Sequence, residues 1–294
     1  MSTDLSLPQD KAQPLPARSR LFGLSDNLAE WPWWLFIAIL AGLYIVFLII
    51  TDEQTRNTFW FISGQTPEAL SAGRILFKGI TVTLTVAVGA YLMAITIGLT
   101  FGLMRSSSNP FFYNLASLYV ELTRGVPMLV LLLYIAFALT PVVTNFLNLL
   151  GVPITTRDIP GELRAMIALA IGYGAFSAEI FRGGIQSVEH GQHEAARALG
   201  MHYFQTMRFI VLPQAIRRVL PALGNDFISM VKDSSLVAIL GIQDMTQLTR
   251  LYYSGNFRYM QSLTMLAFVY LILVVLLTRL VRWMEARLHR AYAR

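Results

Sequence analysis

The chain has 294 residues, of which 55% are hydrophobic and 14% are charged. Soluble domains carry about 25% charged residues, so this composition excludes an ordinary water-soluble domain and indicates lipid as the solvent. The absence of cysteine excludes a disulfide framework and a cysteine-based metal site, and the net charge of +6 fits anionic lipid headgroups better than nucleic acid.

The N-terminal part is polar at first and then apolar. Residues 1–30 lack an apolar period and contain three prolines, so we expect a flexible cytoplasmic tail. Residues 33–50 would be about 27 Å long as a helix, which matches a bilayer core. Three tryptophans at the start of this run would lie in the membrane interface: Trp31, Trp33, Trp34. Residues 31–75 are therefore predicted to be a transmembrane helix and an outside loop; a cleaved signal peptide is disfavoured because no A-x-A site follows.

Five further segments predict crossings. Four are strongly apolar, at 79–104, 111–140, 163–183 and 262–281. The 111–140 segment is expected to be interrupted near Gly125, Val126 and Pro127. In the 79–104 segment, Gly98 and Gly102 could allow another helix to pack closely.

The fifth segment, 215–242, is the doubtful one because it contains several polar residues and helix breakers: Pro221, Gly224, Asp226, Lys232, Asp233. Without it, the Arg-rich C-terminal tail at 285–294 would lie outside. The positive-inside rule therefore favours counting it as a crossing, with both termini cytoplasmic. We predict an all-α polytopic membrane protein of about six transmembrane helices, in which other helices shield this segment from lipid.

A polar loop at 185–213 separates the fourth and fifth predicted crossings. Residues 194–199 are helix formers with a small apolar stripe, and Gly200 is a natural helix stop. A second short helix at 202–211 is expected to end before Pro213. We interpret the two helices as a cytoplasmic knob that contacts another protein. The alternative is an amphipathic helix on the headgroups, but its apolar face would be small.

Part of this loop resembles the EAA loop of bacterial ATP-binding-cassette (ABC) importer permeases. In that motif Glu-Ala-Ala is followed by a spaced Gly and then by Ile-x-Leu-Pro, and this chain matches it at Glu194, Ala195, Ala196, Gly200, Ile210, Leu212, Pro213. Segments 121–130, 178–187 and 227–236 resemble the polar amino acid subgroup, although Val126 stands where that subgroup usually has Thr. The resemblance covers 76–284 and implies a type I ABC importer transmembrane domain whose EAA loop is the coupling helix that docks on an ATPase.

The resemblance implies the permease subunit of an importer of polar amino acids in a bacterial inner membrane. A P-loop needs Gly-Lys-Ser/Thr, and no lysine of this chain follows a glycine. We therefore expect no cofactor on this chain, with ATP and Mg on a partner. The implied partners are an ABC ATPase dimer, a second permease subunit (a copy or a paralogue), an external amino-acid-binding protein and membrane lipid.

Ionisable residues within crossings are functional candidates by default. Glu121 and Arg124 are three positions apart, as are Glu179 and Arg182. Each pair can therefore neutralise itself on one helix.

One face of the 215–242 segment is also polar. Asp226, Ser229 and Asp233 share a helical face, with Asn225 and Lys232 on the neighbouring stripe. This face must line a cavity or a subunit interface. It offers the anionic and cationic groups that a zwitterionic amino acid needs, and gating or dimer-interface hydrogen bonding is the alternative. The candidates for the substrate path are therefore Asn225, Asp226, Ser229, Lys232, Asp233, Glu121, Arg124 and Glu179.

No motif indicates a catalytic site. His190 and His193 lie in a solvated loop without cysteine, so no metal site is expected. The alternative functions are a secondary carrier or channel, or an ABC permease for another small solute. A carrier does not need a cytoplasmic dock, and no second half of the chain repeats the polar 215–242 segment.

Overall fold

The computed structural model describes residues 33–63 and 75–292, and these form helices and their connections. The predicted tail at 1–30, Trp31 and part of the predicted outside loop, 64–74, lie outside the described residues. The chain divides into two units, Met1–Leu48 and Ile49–Arg294.

The predicted first crossing is a helix, α1, over Trp33–Thr51. The predicted outside loop contains a further helix, α2, over Glu53–Ser63. Asp52 caps α2, because its Oδ2 accepts a hydrogen bond from the backbone N–H of Thr55 at 2.7 Å. Sequence analysis missed this helix because only its capping residues signal it, and it is too short and too polar for a crossing.

Besides a one-turn segment at Tyr203–Gln205, the second unit contains eight further helices within the described residues: α3 Ile75–Arg105, α4 Pro110–Gly125, α5 Met128–Leu149, α6 Gly161–Gln186, α7 His190–Ala198, α8 Leu212–Asp233, α9 Met245–Asn256 and α10 Tyr259–Tyr292. Among the described residues, four stretches are long and apolar enough to cross a membrane: Lys78–Arg105, Met128–Leu149, Gly161–Gln186 and Tyr259–Arg287. A shorter apolar stretch, Ile39–Thr51, lies in α1. The predicted tail at 285–294 continues α10 as a helix through Tyr292.

The predicted interruption of the 111–140 crossing is confirmed. The chain leaves the helical conformation at Val126 (φ −103°, ψ 132°), and α5 starts after Pro127. The predicted end at 140 is wrong, because α5 continues through Pro141 to Leu149. A π turn at Tyr134–Leu139 precedes this proline, so the missing N–H of Pro141 falls where the hydrogen-bond pattern changes and the helix is not broken.

Helices α3 and α6 run side by side in the same direction and form the centre of the fold. A Cβ atom added at Gly98 would lie 2.5 Å from Cβ of Ser177, and one at Gly102 would lie 2.8 Å from Cβ of Phe181. The predicted close packing at these glycines is therefore confirmed. The buried core around this contact includes Leu132 and Leu169.

Helix α8 packs against α6, α10 and α3, as expected for a polar crossing that needs shielding. Gly184 of α6 and Gly224 of α8 allow the close approach to α8 and α10, respectively. The hydroxyl of Tyr91 on α3 donates to the carbonyl of Leu223. A 3₁₀ turn at Ser234–Leu240 then leads to α9, whose N-terminus is capped by the buried side chain of Asp244.

Candidate coupling surface and transport path

The knob predicted between the fourth and fifth crossings contains α7, which ends at Ala198. Gly200 has φ +76°, in the left-handed region that favours glycine. Its N–H donates to the carbonyl of Arg197 at 2.9 Å, and the N–H of Met201 donates to the carbonyl of Ala196 at 3.0 Å. The expectation that Gly200 stops the helix is confirmed.

The second predicted helix of the knob, 202–211, does not end before Pro213. A short α segment and a π turn at Thr206–Val211 run directly into α8. The N–H of Leu212 donates to the carbonyl of Met207, five residues earlier. Pro213 thus falls where the bonding pattern returns to the α form, so its missing donor does not stop the helix.

The residues of the EAA motif differ in exposure. Glu194 and Ala195 are exposed, and Leu199 is 81% exposed, whereas Ala196 is buried at 3%. The remaining motif residues of the second half are half-buried: Ile210, Leu212, Pro213. The structure therefore presents Glu194, Ala195 and Leu199 to solvent, and Ala196 faces the protein.

A cavity of about 490 Å³ lies between the knob and the turn that joins α3 to α4. Its lining combines polar side chains, among them Ser106, Ser108, His193 and Arg197, with apolar ones such as Met201 and Met207. His190 Nδ1 lies 3.1 Å from Glu194 Oε1 at the same site. No group of three or more metal-binding side chains occurs in the described ranges.

Two hydroxyls of α6 hold the aspartates of α8. The Tyr173 hydroxyl donates to Asp233 Oδ2 at 2.8 Å, and Ser177 Oγ donates to Asp226 Oδ2 at 3.1 Å. Tyr173 and Ser177 are themselves buried. The two aspartates therefore face α6, and neither forms an ion pair with a cationic side chain of α6 or α8.

The rest of the polar face of α8 points away from α6. Asn225 and Lys232 are exposed, and Ser229 is half-exposed. An exposed polar stripe within a crossing cannot face hydrocarbon at low cost. If α8 is the fifth crossing, as the sequence predicts, this stripe faces water or another protein chain.

The carboxylate of Glu179 on α6 is a meeting point for three arginines. Arg182 Nη2 lies 2.7 Å from Glu179 Oε2, Arg105 Nη1 pairs with Oε1, and Arg124 Nη1 lies 3.8 Å from Oε1. These groups come from the ends of α3 and α4 and from α6 itself. We call Glu179 with these three arginines the Glu179 cluster.

The expected pairing of Glu121 with Arg124 is wrong. Arg124 instead contacts Glu179, and its guanidinium carbon lies 5.4 Å from the ring centroid of Phe176. Glu121 is exposed and forms no ion pair within the described residues. The expected pair of Glu179 and Arg182 is confirmed.

Comparison with known proteins identifies the family. Residues 70–290 match the family described as the binding-protein-dependent transport system inner membrane component. The chain belongs to this family.

Several relatives of this inner membrane component are transport permeases. The probable amino-acid permease protein YxeN of Bacillus subtilis (strain 168) is 34% identical over 223 residues, which cover 76% of this chain and 95% of the relative. The glutamine transport system permease protein GlnP of Escherichia coli (strain K12) is 34% identical, with 73% and 93% covered. A crystal structure of an amino acid ABC transporter with histidines has a chain that is 35% identical, with a TM-score of 0.62, and the match covers 75% of this chain and 97% of that chain. The fold is therefore that of a type I ABC importer transmembrane domain.

Sequence reasoning missed four side chains that organise the site of this permease: Tyr173, Phe176, Ser177, Arg105. Tyr173 and Ser177 are four positions apart on α6, opposite two aspartates seven positions apart on α8. Each spacing puts its two side chains on one helix face, and both were available in the sequence. The pairing of α6 with α8 was not, because it depends on tertiary packing.

Proposed function

We propose that this chain is the permease subunit of an ABC importer that moves polar amino acids into the cytoplasm. The observation that carries the proposal is the exposed knob at α7, together with the family match over 70–290. The names of the relatives, an amino-acid permease and a glutamine permease, support the substrate class.

The knob is the proposed docking site for the ATPase. Its exposed side chains offer one acidic group and a small apolar surface, at Glu194, Ala195 and Leu199. The motif residues Ala196, Gly200, Ile210, Leu212 and Pro213 would hold this surface in place. Movement of the ATPase at α7 would reach the path through the second half of the knob, which contacts α7 and continues from Tyr203 into α8 without a break in the helix.

The exposed stripe of α8 is the proposed wall of the substrate path. Asn225, Ser229 and Lys232 would line it, with Asp226 and Asp233 behind them. A second permease subunit, identical or paralogous, would close the path from the other side. An external amino-acid-binding protein would deliver the solute, and an ATPase dimer would hold ATP and Mg.

The proposed location is the bacterial inner membrane, with both chain termini in the cytoplasm. The excess of arginine at the predicted inner ends of the crossings supports this orientation.

The proposal is tested by affinity purification of the tagged permease from its native membrane in mild detergent. We expect a cytoplasmic ATPase and an external binding protein to co-purify, and the reconstituted complex to take up polar amino acids only with ATP. Recovery of an isolated subunit with uptake driven by an ion gradient would instead support a secondary carrier.

A further inference from the structure

The Glu179 cluster carries more positive than negative charge. Three guanidinium groups surround one carboxylate, and only 20% of the Glu179 side chain and 14% of the Arg105 side chain are exposed. Arg105 Nε is buried without a hydrogen-bond partner within the described residues. Partly buried charge requires compensation, so the cluster is suited to bind an additional anionic group.

Arg124 is the arginine of the cluster that is most easily exchanged. Its 3.8 Å contact with Glu179 is the longest of the three, and 46% of its side chain is exposed. If Arg124 leaves Glu179, that carboxylate keeps Arg105 and Arg182 as partners. The exchange therefore leaves no buried carboxylate without a counter-charge.

The surroundings of Arg124 place it beside a broken helix within the membrane. Gly125, Val126 and Pro127 follow it and are exposed, and Met128, the first residue of α5, lies against Gly172 in the middle of α6. Non-helical backbone at this depth is tolerated only where it lines a water-filled cavity or is covered by protein. Arg124 therefore faces such a space rather than lipid.

The ring of Phe176 restricts the guanidinium of Arg124 from one side. A guanidinium held in this way presents a planar pair of N–H donors, which matches a carboxylate in a bidentate arrangement. Glu121, the nearest acidic residue in sequence, does not use these donors.

We propose that Arg124 binds the carboxylate of the transported amino acid in exchange for its contact with Glu179. This inference rests on the proposed function and names a substrate-binding residue for it. Arg124 recognises the group that all amino acid substrates share, and the side chain of the solute is left to other parts of the path.

The test uses the complete permease–ATPase complex in lipid nanodiscs without the binding protein. Affinities are measured for the standard amino acids and for the α-carboxamide of each one that binds. We expect the carboxamides to bind at least about tenfold more weakly than the acids, since a charge-assisted contact is lost. Arg124→Gln should weaken binding of the acids by a similar factor and leave carboxamide binding unchanged, while Arg124→Lys should lose less.

Arg250→Gln is the matched control, because it removes an exposed arginine of α9 that takes no part in the cluster. Equal binding by wild type and Arg124→Gln, or by acid and carboxamide, would overturn the inference and leave the proposed function intact. If Arg124→Gln does not assemble, the carboxamide comparison in wild type decides. If Arg124→Gln loses phospholipid that co-purifies with the wild-type complex but still binds amino acids as wild type does, the anion site belongs to a lipid phosphate. That result would also overturn the inference. If the wild-type complex neither binds nor transports any amino acid, the proposed function itself fails.

Discussion

At the scale of single residues, hydroxyl groups decide how the acidic side chains of α8 are accommodated. Asp226 and Asp233 each receive a hydrogen bond from α6 but have no cationic partner there. An acceptor that loses its donor in a buried setting retains the cost of desolvation. Removal of either hydroxyl is therefore expected to destabilise the packing of α8 against α6, because the aspartate left behind has no donor.

Ser177→Ala and Tyr173→Phe test this expectation. Each change removes one donor, and interhelical hydrogen bonds in membrane proteins contribute about 0.6 to 1.7 kcal/mol. We expect each variant to lower the thermal unfolding temperature of the purified complex and to reduce uptake. Ser187→Ala is the control, because its hydroxyl donates to the local carbonyl of Gly184 rather than to another helix. Equal stability of all three variants would show that the contacts between α6 and α8 contribute little.

Residue-level prediction succeeded where partners lie on one helix and failed where they do not. The Glu179–Arg182 pair follows from i, i+3 spacing and is present. The same spacing predicted Glu121 with Arg124, but Arg124 contacts Glu179 and Phe176 on α6. Spacing in the sequence predicts ion pairs within one helix. It does not show that a carboxylate on a neighbouring helix lies close enough to bind the same arginine.

At the scale of helices, the two adjacent glycines of α6 provide a matched pair. A Cβ at Gly184 would overlap Val219 of α8, whereas a Cβ at Gly183 would meet nothing within 4 Å. Gly184→Ala should destabilise the folded subunit by about 1 to 3 kcal/mol through overpacking. Gly183→Ala should be neutral or slightly stabilising, since alanine favours a helix more than glycine does. Thermal unfolding of the two variants measures the difference, and equal midpoints would contradict the close approach of α6 and α8.

The loop between α5 and α6 should respond to acid in a defined way. Asp158 Oδ2 accepts hydrogen bonds from the N–H and hydroxyl of Thr155, at 2.7 and 2.8 Å, and these bonds hold the pKa of Asp158 below its usual 3.8. A lowered pKa means that the stabilisation is complete above the pKa of the unfolded chain and is lost as pH falls through the lower, folded value. We therefore expect amide protection at 155–158 to persist at pH 5 and to disappear only below the usual aspartate pKa.

Hydrogen exchange, corrected for the intrinsic rate at each pH, measures this loss of protection. Asp158→Ala should lack the protection at every pH. Protection in wild type that disappears well above the usual aspartate pKa would contradict the capping role.

Whether a helix could be predicted from the sequence depended on how apolar it is. The crossings α3 and α6 are continuous apolar runs, and their predicted bounds lie within a few residues of those in the structure. The predicted crossing 262–281 is also an apolar run, but α10 continues beyond its predicted end to Tyr292. Helices α2 and α9 are short and polar, so hydropathy does not reveal them. The helix ends at 140 and before Pro213 were predicted wrongly because a π turn precedes each proline.

At the scale of the whole molecule, the knob should couple the permease to its ATPase. Glu194→Lys reverses an exposed charge, and Gly200→Pro forces φ near −65° where the chain requires +76°. We expect both variants to insert normally into the membrane and to abolish uptake. Gly200→Asn is the control, because asparagine tolerates the left-handed region. Uptake at the wild-type level by Glu194→Lys, with normal membrane abundance, would contradict docking at the knob.

The π turn at Thr206–Val211 also sets the direction in which α7 points around the axis of α8, relative to the polar stripe of α8. A π turn holds one residue more than the α-helix would, and one residue corresponds to about 100° of rotation around a helix axis. Loss of a single residue from this turn would rotate α7 around the axis of α8 by that angle while α8 stayed locked to α6. The direction in which the knob points, relative to Asn225 and Lys232, is thus set by the length of the chain here, independently of which side chains the turn contains.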